Sequence, residues 1–295
     1  MPSTTVLRRR IKSIKNTKQI TKAMEKISAV KMRHAQHAAR VSRRFAALAW
    51  ELAANLRGHV GQPTPVLLKE RPLHTVGYVV VSSDRGLCGS LNTKLAHAAL
   101  ASAASSGMEP KRTFLYTMGR KGRETLVRAG FSLQADFGSV PAKPSAASTR
   151  PLAETITNDF ISGAVDRVSV VYSNCKDTLS QEPIVRQLLP VSVEMLKAEA
   201  ETMRTRGGAA LYTFEPSPEE VLDALLKRII ETQLYQAMLE HVASEHSARM
   251  VAMKNATDNI TDLIADLTLV MNQNRQAFIT REVAEISAGK AALEG

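Results

Sequence analysis

The sequence predicts a mixed α/β protein in which the two ends of the chain form a long antiparallel two-helix coiled coil and the middle forms an α/β domain. Two long segments, one near each end, lack glycine and proline, while the segment between them alternates short apolar runs with helical stretches. Aromatic residues are only 4% of the 295 residues while apolar residues are 44%, so aliphatic side chains, mostly good helix formers, dominate.

The first predicted element is one long helix near the N-terminus. No glycine or proline occurs from residue 3 to residue 57. A helix of that length would extend roughly 80 Å, which exceeds an ordinary globular helix. Apolar residues recur along it at helical spacing and predict a buried stripe: Leu7, Ile11, Ile14, Ile20, Met24, Ile27, Val41, Phe45, Leu48, Leu52 and Leu56.

A linker and an α/β domain follow. Glycines and prolines between residues 58 and 72 mark the linker. Strands are predicted at 76–81, 114–118, 168–172 and 184–193. Helices are predicted at 90–105 and 120–129, and a third follows a Pro/Ala/Ser-rich loop at 139–151 and ends at about residue 161. This alternation predicts a largely parallel, Rossmann-like sheet.

The last predicted element is a second long helix. Ser217 reads as its N-cap, Pro218 as its first residue and Glu220 as the partner in a capping box. Glycine and proline are then absent until Gly289. Its apolar residues, at 222, 225, 226, 229, 260, 263, 264, 267, 270 and 271, predict a stripe that would pair with the first helix. The alternative is a kink in each long segment, as in a compact bundle.

These elements divide the chain into three segments. Residues 1–60 are the N-terminal helix of the coiled coil, 61–215 the linker and central α/β domain, and 216–295 the C-terminal helix.

Charge is concentrated in the first segment. Residues 1–57 hold 14 Lys or Arg and two Glu, whereas the other residues hold 25 basic and 26 acidic groups, so this segment carries the entire excess of +11. Its partner should be anionic: nucleic acid, an anionic membrane surface or an acidic protein. An acidic protein is favoured, because stacking aromatics are few and apolar residues interleave with the charges.

No motif supports catalysis. The turn at 82–92 joins a strand to a helix but matches neither GxxxxGK[ST] nor GxGxxG, and Gly119 and Gly122 have no phosphate-binding spacing. Cys88 has no neighbouring His or Cys in sequence, and the two cysteines, Cys88 and Cys175, form no CxxC pair, which fits a reducing compartment. We expect no catalytic residue, cofactor or metal, and no stretch that spans or inserts into a membrane.

Four stretches together resemble one family. Residues 16–25 with 31–32, 82–89, 243–259 and 275–286 are similar, in the same order, to the gamma subunit of bacterial F-type (proton-translocating) ATP synthases. The resemblance implies a central rotor shaft, present in one copy. Its terminal helices would lie inside a hexamer of alpha and beta subunits, and its α/β domain would sit with the epsilon subunit on the membrane c-ring. The expected location is peripheral, on the cytoplasmic side of the bacterial inner membrane.

The resemblance also implies contact residues. Lys22, Met24 and Lys26 would face an acidic loop of a catalytic subunit, although Met24 could instead be a coiled-coil core residue. Five other positions match polar contact residues of the shaft: Arg249, Gln276, Thr280, Glu282 and Glu285. Tyr212 and Glu215 match a segment near epsilon and the ring.

One feature departs from the family pattern, and two other functions stay open. Lys290 and Glu294 interrupt a C-terminal tip that the family fills with small apolar residues. The alternative functions are a nucleic-acid-binding coiled-coil protein that uses the basic N-terminal helix, and an enzyme built on the α/β domain with a small-molecule pocket.

Overall fold

The structure is a computed structural model that describes residues 4–57, 65–107, 109, 112–175, 177, 180–192 and 215–294. Its elements are α1 (Thr4–Arg57), a short 3-10 helix (Val66–Leu68), β1 (Val76–Val81), α2 (Leu91–Ser105), β2 (Thr113–Met118), α3 (Arg120–Arg128), β3 (Ser132–Asp136), α4 (Ala146–Ser162), β4 (Arg167–Cys175), β5 (Gln181–Leu189) and α5 (Pro218–Glu294). They form two compact units: a terminal unit, Met1–Ser28 with Arg249–Gly295, and a central unit, Ala29–Ala248.

The buried side of α1 follows a heptad pattern. Buried or half-buried residues alternate at spacings of three and four: Thr4, Leu7, Ile11, Ile14, Lys18, Thr21, Glu25, Ser28, Met32, Ala35, Ala39, Ser42, Ala46, Ala49, Ala53 and Leu56. A strict seven-residue repeat is the signature of a left-handed supercoil. The predicted coiled-coil character of α1 is therefore confirmed, and its seam is filled mostly by small residues beyond Thr21.

The predicted apolar stripe on α1 is wrong over its middle part. Ile20, Ile27, Val41, Phe45 and Leu48 are all more than half exposed. The seam uses alanine, serine and threonine instead, because small side chains let two helix backbones approach closely. Leu7, Ile11 and Leu56 are buried as predicted.

Helices α1 and α5 run antiparallel. In the central unit, Ala35 clusters with Val242 and Ala243, whereas Arg43, further along α1, contacts Glu240, which lies earlier in α5. The predicted antiparallel pairing of the two ends is confirmed by this order of contacts.

The terminal unit shows where the cover on α5 ends. Thr21 Oγ1 lies 2.8 Å from Thr257 Oγ1, a buried contact between the two helices. Counting equally in both directions from this pair places Thr4, the first residue of α1, opposite Asn274. From 275 to 290 every side chain of α5 is exposed, beyond the reach of the described part of α1, which begins at Thr4.

The α5 seam explains which of its apolar residues are covered. Half-buried or buried positions recur at spacings of three and four: Met250, Met253, Thr257, Ile260, Ile264, Leu267, Met271 and Asn274. Leu263 and Val270, which the sequence predicts in the stripe, lie off this seam and are about 40% exposed. The helix also continues through Gly289 to Glu294, flanked by alanines that favour helix.

The sheet of the central unit has the order β3-β2-β1-β4-β5. Strands β3, β2, β1 and β4 are parallel to their neighbours, and β5 is antiparallel to β4, so the largely parallel sheet is confirmed. All six residues of β1 are buried, as expected for a central parallel strand.

The sequence misses β3, because this edge strand is mostly exposed and has no β-branched residue. Helix α4 begins earlier than predicted, at Ala146, since Ser145 and Ser148 form a capping box.

Helices cover both faces of the sheet. Val79 and Val81 of β1 point into a core with α1, α4 and α5, while Val76, Tyr78 and Val80 point into a second core with α2. Alternate residues of one strand therefore contact different layers, which is the arrangement of a Rossmann-like domain.

Candidate functional site

The predicted contact residues on α1 lie beside the seam of the terminal unit. Lys22 and Lys26 are exposed, and Met24 is half-buried next to the seam residue Glu25. Met24 thus has surface available for a partner while part of its side chain packs within the unit. The two lysines lie one helical turn apart on one face, and because each is two residues from Met24, the helical repeat places them on the other side of α1.

The predicted contact residues on α5 belong mainly to its uncovered part. Gln276 and Thr280 are exposed and four residues apart, so they lie on one face. Glu282 and Glu285 are also exposed, but the helical repeat places them on the opposite side. Arg249, at the other end of the terminal unit's α5 segment, is half-buried.

The exposed part of α5 also carries apolar residues that the sequence reasoning did not single out. Phe278, Ile279, Val283 and Ile286 are 50–67% exposed. Ile279, Val283 and Ile286 follow the spacing of one helix face. An apolar row on an uncovered helix marks a surface that another molecule covers.

Helix α1 carries a second exposed apolar row. It consists of Ile20, Ile27, Val30, Val41, Phe45 and Leu48, each more than half exposed. All six lie within about a quarter turn of one another on the helix. The sequence does contain a signal that distinguishes the seam from this row. Small residues (alanine, serine and threonine) recur along the seam at alternating spacings of three and four.

The predicted segment near residue 215 is only partly described. Glu215 is exposed and precedes α5, whose first turn is capped by Ser217: its Oγ accepts the N–H of Glu220 at 3.3 Å. Tyr212 lies outside the described residues.

The turn after β1 packs closely against the start of α3. A Cβ on Gly119 would lie 1.8 Å from the carbonyl oxygen of Ser82, and one on Gly122 would lie 2.8 Å from Ser82 Cβ. Gly122 N–H also donates to Ser82 Oγ at 2.8 Å. The glycines therefore let α3 approach β1, which is the structural interpretation of this motif.

The end of α3 nearest this turn already holds an anion from the chain itself. Asp84 Oδ1 accepts the N–H of Arg120 at 3.1 Å. The adjacent open cavity, about 280 Å³, is bounded by Asp84, Arg120, Arg123 and Asp136 among others, and Arg123 is paired with Asp136. Because Asp84 occupies the position that a ligand phosphate would take, this turn lacks the arrangement of a phosphate-binding loop.

The central unit also buries two reactive side chains. Cys88 is 2% exposed, packs against Leu91 and Ala248, and accepts Asn92 Nδ2–H at 3.4 Å, which is the environment of a structural thiol. Burial lowers the pKa of His241 to about 4, against smaller opposing effects of Glu245 and Asp84. Among the described residues, no cluster of His, Cys, Asp or Glu is arranged to hold a metal ion.

Comparison with known proteins gives a match over nearly the whole chain. The ATP synthase family matches residues 3–293. The chain is 43% identical to the ATP synthase gamma chain of Chloroflexus aurantiacus over 296 residues, and 44% identical to that of Roseiflexus castenholzii over 295, with 99% of each chain covered in both cases. It is 38% identical to the gamma chain of Desulforamulus reducens over the full length of both.

Solved structures share the fold. A chain of the Euglena gracilis mitochondrial ATP synthase, in an assembly of OSCP, F1 and c-ring, matches with a TM-score of 0.67 and 19% identity, covering 98% of this chain and 94% of that one. A chain of the Tetrahymena thermophila mitochondrial ATP synthase central stalk and c-ring matches with a TM-score of 0.59 and 24% identity, covering 80% and 99%. No helix within the described residues has an apolar stretch long enough to cross a bilayer.

Proposed function

The chain belongs to the ATP synthase gamma family, and from this premise we propose that it is the central rotor shaft of a proton-translocating ATP synthase. It couples rotation of the membrane c-ring to ATP synthesis or hydrolysis in a hexamer of alpha and beta subunits. The observation that carries the proposal is the uncovered end of α5, where every side chain from 275 to 290 is exposed and an apolar row has no cover within the described chain.

The mechanism follows from asymmetry. A pair of helices has no threefold axis, so inside a threefold ring it contacts the three catalytic subunits differently. A third of a turn exchanges those contacts. A binding partner shifts a conformational equilibrium only as far as its affinities for the two states differ, and the rotating shaft supplies such a difference to each catalytic subunit in turn.

The polar residues of the shaft provide contacts that change with angle. Met24 meets a catalytic subunit near its acidic loop, Lys22 and Lys26 on the other side of α1 meet acidic groups of the hexamer, and Arg249, Gln276 and Thr280 form polar contacts with a loop of a catalytic subunit. Glu282 and Glu285, on the opposite face of α5, meet a different subunit at the same instant. Individual exposed ion pairs contribute little, so the excess of +12 on residues 1–57 acts mainly as long-range attraction.

The chain itself performs no bond chemistry in this proposal. The enzyme alternative would need the cavity beside Asp84 as a substrate site. Asp84 bonds the N-terminus of α3 there, and Arg123 is paired with Asp136, which supports a structural role for this cavity. Glu215 and Tyr212 face the epsilon subunit and the c-ring. One copy serves each complex, held peripherally on the cytoplasmic side of the bacterial inner membrane.

Site-directed crosslinking tests the assignment. Gln276→Cys in a Cys175→Ser background, coexpressed with alpha, beta and epsilon, is labelled with a reducible photoreactive maleimide. We expect crosslinks to a catalytic subunit and loss of ATP hydrolysis that reduction restores. Ser132→Cys, on the exposed edge strand β3, is the control and should leave hydrolysis intact.

Two results would refute the rotor. One is crosslinks from Gln276→Cys confined to other copies of this chain. The other is tight duplex binding by the isolated chain with a steep salt dependence, about one log unit of slope per neutralised phosphate, which would support the nucleic-acid alternative.

A further inference from the structure

Within the central unit, α5 is joined to the sheet by a row of polar side-chain contacts. The carboxylate of Glu240 lies close enough to the phenol of Tyr172 on β4 for its charge to raise the pKa of that phenol. Ser244 Oγ lies 2.8 Å from the carbonyl oxygen of Ser173, and Gln181 Nε2, on β5, donates to Ser247 Oγ at 3.2 Å. Residues 240, 244 and 247 lie on one face of α5, and we call these three contacts the polar ladder.

The ladder lies in the most buried part of α5. Ser244 and Ser247 are fully buried, Glu240 is 7% exposed and Tyr172 is 2% exposed. Burying hydroxyl and carboxylate groups costs free energy that alanine or leucine at the same positions would avoid. The polar residues are therefore a poor choice for stability alone, and they add directional contacts between α5 and the sheet.

Glu240 extends the ladder to α1. Its Oε1 accepts Arg43 Nη2–H at 2.7 Å, Arg43 Nε–H at 3.2 Å and Gln236 Nε2–H at 2.7 Å. Burial and the charge of Glu240 raise the pKa of Tyr172, so its phenol stays protonated. One buried carboxylate thus bonds α1 and α5 and interacts electrostatically with β4.

The contacts of α1 beside Glu240 are less directional than the ladder. The buried side of α1 near Glu240 consists of small residues, Ala35, Ala39, Ser42 and Ala46, and hydrophobic burial is non-directional. Hydrogen bonds weaken steeply when their geometry is distorted, so a small rotation of α5 against the sheet loses energy at each rung of the ladder.

We propose that the polar ladder, with Glu240 as its hub, sets the torsional stiffness between the sheet and the two long helices. This inference rests on the proposed rotor function, because stiffness matters only if torque entering at the sheet domain is passed to the helices. Glu240, Tyr172, Ser244 and Ser247 are positioning residues in this role.

The test removes the ladder hydroxyls while keeping side-chain shape. The ladder variant combines Tyr172→Phe, Ser244→Ala and Ser247→Ala. The control is Thr232→Val, which deletes a buried α5 hydroxyl, on a residue 7% exposed, that bonds its own helix at Arg228 O. Each protein carries Ser132→Cys and Cys175→Ser, is assembled into the full complex fixed to a surface through its hexamer, and has a bead attached at residue 132.

Two measurements are made on each complex: ATP-driven rotation of the bead, and its angular variance while a non-hydrolysable nucleotide arrests the hexamer. At equilibrium the variance is inversely proportional to torsional stiffness. We expect wild type to rotate, and the arrested variance to rise at least about 1.5-fold in the ladder variant and to stay unchanged in the control. If the triple variant does not assemble, Ser247→Ala alone should show a smaller rise.

Unchanged variance in the ladder variant, or in Ser247→Ala where only that protein assembles, overturns the stiffness inference while leaving the rotor function intact. An equal rise in the control overturns it as well, because any lost hydroxyl would then have the same effect. Absence of ATP-driven rotation in wild type overturns the rotor function, and the stiffness inference with it.

Discussion

Buried His241 should make the stability of the central unit depend on pH. Its pKa is lowered from 6.5 to about 4, chiefly by burial, and both ring nitrogens lack a hydrogen-bond partner in the structure. Between those two values the unfolded chain binds a proton at this residue and the folded chain does not. Stability therefore falls as the pH falls from about 6.5 to about 4, and the loss is complete below that range.

The size of the effect follows from the shift. One pKa unit is worth about 1.36 kcal/mol, so the whole window corresponds to about 3 kcal/mol of unfolding free energy, of which about 2 kcal/mol is lost between pH 7 and pH 5. Replacing the imidazole by an apolar side chain removes this contribution. Between pH 7 and pH 5, the unfolding free energy of His241→Leu should therefore fall by about 2 kcal/mol less than that of wild type.

Urea unfolding at pH 7 and pH 5 measures the difference. Trp50 is the single tryptophan, is 2% exposed and lies in the same unit as His241, so its fluorescence reports on the right region. His37→Leu, which removes an exposed imidazole from α1, is the control and should behave as wild type. The reasoning is refuted if wild type and His241→Leu lose the same stability between the two pH values.

Two further predictions concern packing. Gly119→Ala should cost at least about 4 kcal/mol or prevent folding, since the new Cβ would lie 1.8 Å from Ser82 O at a φ of +98°; Gly86→Ala, with nothing within 4 Å, is the control, and equal melting temperatures would contradict the clash. Ser28→Ile, in the α1 seam, should cost about 1–3 kcal/mol by overpacking. The neighbouring substitution Ile27→Ser should change the unfolding free energy of the free chain by less than about 0.5 kcal/mol, yet weaken the binding of this chain in the assembled complex. If Ile27→Ser destabilised the free chain more than Ser28→Ile, the assignment of the seam would be wrong.

The regular elements follow from local signals. The absence of glycine and proline predicts α1 and α5, the cap at Ser217 is where the sequence places it, and β-branched runs predict β1 and β4. The order of strands and helices predicts a largely parallel sheet. Edge strand β3 is missed because its short polar sequence resembles a loop, and its partner β2 is what makes it a strand.

The candidate site could be predicted only in outline. The residue matches place Gln276, Thr280, Glu282 and Glu285 on an exposed helix, and the structure describes them there. The exposed apolar rows could not be assigned from hydrophobicity, because a stripe that meets a partner looks the same in sequence as one that meets the chain's own core. Ile20 and Ile27 were therefore predicted to be buried.

The sequence by itself determined which segments are helical and where the charge lies. Those properties depend on neighbours a few residues apart, and every such neighbour is visible in the chain. Only the tertiary structure decided which side of α1 faces α5, that β5 runs antiparallel, and that Glu240 bonds Arg43 across the two long helices. These depend on contacts between residues as far apart as Thr21 and Thr257 or Arg43 and Glu240, where the fit of small side chains outweighs the hydrophobicity of larger ones.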